Sequence, residues 1–298
     1  MIKRSILFTV VALVLYALYI HNKAPQIAQH QWQANIIRTQ NYIYTDSLLG
    51  DDMILGTSLT DKLAPRRLPD SLYMLTYPGL GVWDGFRVIK QSGGKPKFIF
   101  VEQNAILKPY SEQFNVYMFN PVNYHSKKEL TVLRDAYQPI GQVAYFFTVH
   151  GKPFVKGFSR FILNPVLRAF QGDTPRTIDN SEYYAFMARM RNDVNYGHID
   201  STIRNLKAEV DYFQARGTKV YFYETPVAEV IIKNKQHAAV QAAFDKYLPP
   251  GKYHYIPHVP DVNAYGTIRD QVHLNDSSAV KFSHVFAKQI REARQNKL

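Results

Sequence analysis

The chain has 298 residues, of which 46% are hydrophobic and 20% charged, and it carries no repeat or low-complexity tract; it can bury a large core and is neither disordered nor a solenoid. It has no cysteine, which excludes disulfides, lipoprotein attachment and any Cys-based zinc site. A balance of 36 basic to 24 acidic residues gives a net charge of +12. No Lys/Arg block is long enough to read as a nucleic-acid tail, so the charge fits anionic headgroups, an acidic polymer or general solubility.

Lys3 and Arg4 precede an uncharged apolar stretch, Ser5 to Ile20. The stretch is apolar all round, which argues for a membrane segment rather than a core helix. It is short for a span of ~20 residues, though Met1-Ile2 and His21-Asn22 extend it. Positive charges ahead of it hold the N-terminus inside and place the rest of the chain outside. A cleaved signal peptide is the alternative, but Tyr16, Leu18, Tyr19 and His21 leave no small-x-small site, so residues 1–22 are expected to be an uncleaved transmembrane anchor.

Residues 23–50, rich in Gln and Asn, read as a polar connector with helical character. From Asp51 onward apolar runs alternate with helical patterns, as in βαβ units around a parallel sheet. The expected strands are Met53–Leu55, Tyr73–Thr76, Phe98–Val101, Lys219–Glu224 and Tyr253–Ile256. The expected helices are Val82–Gln91, stopped by Gly93-Gly94; Ile199–Ala215, stopped by Gly217; one within Val227–Tyr247; and Asn275 to about Arg294. In the last, Asn275 is a good N-cap, and Ala279, Val280, Phe282, Val285, Phe286 and Ile290 recur at helical spacing.

The middle of the chain, 106–198, reads as an insertion crowded with aromatics. From Val149 to Gly172 there is no acidic residue, while Lys152, Lys156, Arg160 and Arg168 stand among phenylalanines. A helix is expected between Pro153 and Pro165. Such a basic amphipathic stretch suits a membrane surface or a membrane partner, and equally an ordinary packed insertion with a solvated edge.

Chemistry-bearing residues fall at strand ends, where open parallel sheets bind ligands. Gly56-Thr57-Ser58 follows the first strand. Asp270-Gln271-Val272-His273 lies just before the last helix. A serine hydroxyl needs a base to take its proton; His273 can be that base, and Asp270 can orient its ring. Ser58 also reads as a helix start, a compatible role. Gly79, in Tyr77-Pro78-Gly79, reads first as a turn, and Asn104, beside Gln103, as a loop cap. His254-x-x-x-His258 with Asp261 has metal-like spacing, but Pro257 and Pro260 break any helix that would align the pair, and no metal site or cofactor is expected.

The layout resembles the SGNH (GDSL-like) hydrolase superfamily over residues about 50–105 and 200–296. Gly56-Thr57-Ser58 matches its nucleophile block, with Thr57 where Asp often stands. Gly79 matches the glycine block, with Gly81 as a rival. Asn104, closing Val101-Glu102-Gln103-Asn104 where Gly-x-Asn-Asp is usual, matches the asparagine block. Asp270 and His273 match the D-x-x-H block. The resemblance implies a flavodoxin-like α/β three-layer sandwich over 51–298, with Ser58, His273 and Asp270 as a triad. Gly79, Asn104 and the Ser58 amide would be oxyanion donors.

In plan, one N-terminal anchor before such a domain, the chain is similar to membrane-anchored polysaccharide O-acetyltransferases and DltD-like proteins. That similarity implies a single-pass protein of the bacterial inner membrane with its domain in the periplasm or outside the cell. It implies O-acyl, in particular acetyl, transfer to a secreted polysaccharide, with an integral-membrane acyltransferase as partner and no nucleic acid. An esterase acting on the same ester, and a non-catalytic scaffold that keeps the fold, are the alternatives.

Overall fold

The computed structural model describes residues 2–21, 31–139, 194–259, 261–268 and 270–295. The basic stretch 149–172, and with it the helix expected between Pro153 and Pro165, lies outside the described residues. Contacts divide the chain into two compact units, one of Met1–Gln40 with Tyr117–Asn180 and one of Asn41–Val116 with Ser181–Leu298. The second unit holds the sheet.

Five strands form one all-parallel sheet: β1 (Asp52–Gly56), β2 (Leu72–Thr76), β3 (Phe98–Glu102), β4 (Lys219–Tyr223) and β5 (His254–Tyr255). Their order, β2-β1-β3-β4-β5, is the flavodoxin-like order of doubly wound α/β folds. The apolar runs are continuous because both faces are covered, which is why they lack polar alternation. On one face Ile54, Phe100, Tyr221 and Tyr223 pack against Phe282, Phe286 and Ile290 of the long C-terminal helix Asp276–Arg294. On the other, Leu55 meets the helix Val82–Ser92 so closely that a Cβ on Gly85 would lie 2.7 Å from its Cδ2. Phe86 of that helix packs its ring at a tilt against Phe213 of the helix Tyr196–Gln214, and Phe222 sets its ring edge-on to Phe244 of the helix Lys235–Tyr247. Side chains such as Ile54, Phe100, Phe222 and Phe286 are fully buried, each contributing about 1.5–3 kcal/mol of transfer free energy.

Among the described residues the helices, in chain order, are α1 (Ile2–His21), α2 (Gln31–Ile43), α3 (Ser58–Asp61), α4 (Val82–Ser92), α5 (Glu112–Phe119), α6 (Pro121–Glu129), α7 (Tyr196–Gln214), α8 (Glu229–Ile232), α9 (Lys235–Tyr247) and α10 (Asp276–Arg294). Within Val227–Tyr247, where a helix is expected, there are two, α8 and α9. Asn234 is extended, and its side chain accepts from the Gln236 N–H at 2.8 Å, so α9 restarts on a fresh N-cap. The connector holds α2, where Ile36, Tyr42 and Ile43 are buried.

In the first unit, Asp135 is buried, takes Nε2 of Gln40 and the hydroxyl of Tyr117 as donors, and pairs with Lys127 at 2.6 Å. The expected anchor is α1. Among the described residues no helix is long and apolar enough to cross a membrane. Ile6, Leu7, Phe8, Val10, Val11, Val14, Leu15, Leu18 and Tyr19 are nevertheless exposed along α1.

Candidate active site

The strand order reverses between β1 and β3, and the segments leaving the carboxyl ends of these two strands build the site. β1 ends at Gly56. A Cβ there would lie 2.5 Å from Thr60 Oγ1 and 2.9 Å from Glu102 Oε2, so no larger residue fits the approach. Thr57 is the N-cap of α3, its Oγ1 accepting from the Leu59 N–H at 3.4 Å. Ser58 is therefore the first helical residue rather than the cap. It is half-buried between buried neighbours, Thr57 and Leu59, so its hydroxyl is the polar group that the turn presents outward. The Ser58 N–H donates to no acceptor among the described residues.

The other half of the site is a closed loop ahead of α10. Thr267 pairs antiparallel with Leu274, Ile268 N–H donates to His273 O at 2.8 Å, and Asn275 N–H donates to Gly266 O at 3.0 Å. Ser278 of α10 accepts from the Gly266 N–H through its hydroxyl at 2.8 Å. Within the loop Gln271 is left-handed, with φ 64°, the one non-glycine residue with positive φ among those described. Its carbonyl accepts from the Ala228 N–H at 2.9 Å. That twist lets Asp270 and His273 share one side. Asp270 Oδ1 accepts from the N–H groups of Val272 and His273 at 3.0 and 2.9 Å.

The two halves meet. His273 Nδ1 lies 2.5 Å from Asp270 Oδ2, and His273 Nε2 lies 2.8 Å from Ser58 Oγ. Asp270 offers only acceptors when ionised, so Nδ1 carries the ring proton, and the lone pair of Nε2 faces the serine hydroxyl. Burial raises the Asp270 carboxyl, but the His273 and Val272 N–H groups and the imidazole outweigh it and hold the group below its ordinary value. Three residues, 215 positions apart at the extremes, thus form a Ser–His–Asp relay, which is the arrangement that makes a hydroxyl nucleophilic.

Gly79 stands where its sequence places it, in a turn. Tyr77 N–H extends the β1–β2 ladder to Gly56 O, and Leu80 N–H closes back on Tyr77 O at 2.9 Å, with Pro78 and Gly79 at the corner and Gly79 at φ 78°. This is a type II turn, which requires glycine at its third position. It is exposed and comes directly after the ladder beside the turn that carries Ser58. Gly81 is instead buried as the N-cap of α4, its N–H held by Asp84 at 3.1 Å. Asn104 is engaged elsewhere: its Nδ2 donates to Thr225 O at 3.0 Å, while its Oδ1 accepts from the Thr225 N–H and hydroxyl. It clips the ends of β3 and β4 together, with one amide hydrogen left over. His254 and His258 diverge, His254 stacking on Tyr221 and His258 turning to Glu224. Among the described residues no group of three His, Asp or Glu side chains is arranged to hold a metal ion.

No family model, curated protein or solved structure matches this chain.

The residue that the motif reading passed over is Glu102. It closes the apolar run of β3 and is fully buried. Its oxygens accept from the N–H and hydroxyl of Thr57 and of Thr60. Burial raises its carboxyl above the ordinary glutamate value, although those four donors pull the other way. The available signal was strand parity: Glu102 shares a face with Phe98 and Phe100, so a period of two sends its side chain inward.

Proposed function

We propose that this chain is a serine-dependent acyl-ester enzyme, with Ser58 as nucleophile, His273 as general base and acid, and Asp270 as the group that orients His273. The observation that carries the reading is the unbroken relay of 2.8 and 2.5 Å from Ser58 through His273 to Asp270. Ser58 Oγ attacks an acyl carbonyl while Nε2 of His273 takes its proton. The imidazolium is stabilised by the ionised Asp270. The negative charge on the former carbonyl oxygen is met by backbone donors, for which the unpaired Ser58 N–H and the turn at Gly79 are the candidates. Collapse breaks the ester bond, and His273 returns the proton to the leaving oxygen. An incoming hydroxyl then repeats the sequence in reverse and releases Ser58.

The resemblance to SGNH-type proteins extends this to the substrate. On that reading the acyl group, an acetyl in particular, passes to a hydroxyl of a secreted or cell-surface polysaccharide. An integral-membrane acyltransferase supplies it, and α1 attaches the protein to the inner membrane with the sheet domain outside the cytoplasm. The apolar exposure around α1 supports attachment to a bilayer. Hydrolysis of the same ester is the second reading. The side chains of His273 and Asp270 are 22% and 21% exposed, which leaves water a route to an acyl-enzyme.

The test is turnover of a generic aryl acetate by the full-length chain. Ser58→Ala and His273→Ala should each lower kcat by about 10³-fold or more with the fold intact. Turnover unchanged in Ser58→Ala would leave only a non-catalytic scaffold. A glycan oligomer that gains acetyl groups in the same assay selects transfer over hydrolysis.

A further inference from the structure

We infer that Glu102 is the positioning residue of the proposed nucleophile, a buried carboxylate that ties down both feet of the turn on which Ser58 sits. The inference rests on the acyl-enzyme reading of Ser58 and adds to it the group that fixes the hydroxyl in reach of His273. Thr57 precedes Ser58, and Thr60 stands two residues after it. Oε1 of Glu102 accepts from the Thr57 hydroxyl at 2.7 Å, and Oε2 from the Thr57 N–H at 2.9 Å, the Thr60 N–H at 3.3 Å and the Thr60 hydroxyl at 2.5 Å. Since the Thr60 hydroxyl donates to Glu102, it must accept from the Tyr223 hydroxyl, 2.6 Å away. Donors thus run inward from β4 and from both sides of Ser58 onto one acid at the end of β3.

A carboxylate is the side chain that can accept from all four donors at once. It is also costly here, being fully buried with no Lys or Arg paired to it among the described residues. A four-residue helix does not need such an anchor merely to form, because Thr57 already caps it. What the anchor adds is rigidity at one point, the apex carrying Ser58 Oγ. Gly56 belongs to the same device, since any Cβ there would push into Thr60 and Glu102.

The inference is tested by the rate at which a fluorophosphonate probe labels the full-length chain, resolved into the maximal rate and the concentration dependence. Glu102→Ala removes every acceptor and should lower the maximal rate by about 10–100-fold while the half-saturating concentration stays within about twofold, because misplacement of a nucleophile acts on the reacting step. Glu102→Gln keeps an oxygen for three donors and turns its amide to the Thr57 hydroxyl; it should restore the rate to within about fivefold of the parent. If Glu102→Ala does not fold, Thr60→Val decides, as it deletes one hydroxyl from the relay at nearly constant shape, and a several-fold loss in maximal rate is expected. A labelled parent whose folded Glu102→Ala form, or whose Thr60→Val form, reacts at the parental rate overturns this inference alone. A parent that takes no label overturns the acyl-enzyme reading and this inference with it.

Discussion

At the scale of single residues, two acids near Ser58, the buried Glu102 and the half-buried Asp270, are pushed in opposite directions by their environments. Asp270 is held below its ordinary value of 3.8 by backbone N–H groups and the His273 ring, against the opposing pull of burial. Its ionised form therefore contributes stability that is present above that value and is lost as pH falls through the depressed one. Glu102 is raised above 4.5 by burial, with Thr57, Thr60 and the Tyr223 hydroxyl as the polar groups facing it. Its contribution is fully present below 4.5 and is lost as pH rises through the raised value. Calorimetric midpoints across acid to neutral pH should thus move oppositely in two variants. From 4.5 upward, Glu102→Gln gains relative to the parent, whereas Asp270→Asn loses relative to it as pH climbs from the depressed value up to 3.8. The same sign in both would contradict the electrostatics described. Asp270→Asn should also lower kcat by about 10³–10⁴-fold, since an amide facing Nδ1 favours the wrong tautomer.

At the scale of elements, the D-x-x-H loop works because Gln271 is held in a left-handed conformation between the bridge Thr267–Leu274 and the Ala228 N–H. Glycine adopts that backbone without penalty and a β-branched residue does not. Gln271→Gly should change unfolding free energy by no more than about 1 kcal/mol, and Gln271→Val should cost about 1–3 kcal/mol and slow turnover. Urea midpoints with parallel kcat measurements check both. These elements also show what could be read in advance. β1 to β4 were legible because each is an apolar run closed by a turn signal, and the N-cap of α10 was legible in Asn275. The restart of α9 was not, because Asn234 looks like any polar surface residue until its side chain is seen to accept from Gln236. The clip between Asn104 and Thr225 joins positions 121 apart, and no local spacing encodes it. Glu102 was masked by its charge, which reads as exposed at a strand end although its parity says otherwise.

At the scale of the molecule, the sheet unit carries all of the proposed chemistry, while α1 carries a run of exposed apolar side chains. Its Ile6, Leu7, Val11, Val14 and Leu18 are exposed. A bilayer surface is the expected cover, with the exposed Arg4 at the start of the helix suited to anionic headgroups. The full-length chain should float with vesicles containing anionic lipid, and the triple variant Leu7→Lys, Val11→Lys, Val14→Lys should remain in the dense fraction with its secondary structure unchanged. Equal flotation of both would remove α1 from the account of where the protein works.

All of the proposed chemistry depends on Ser58 becoming acylated. The most direct measurement is the intact mass and peptide map of the full-length chain after brief exposure to an activated acetyl ester. The account predicts one acetyl group on the peptide carrying Ser58, absent in Ser58→Ala and strongly reduced in His273→Ala. An unmodified Ser58, or acetyl groups spread over lysines alone in parent and variants alike, would contradict it.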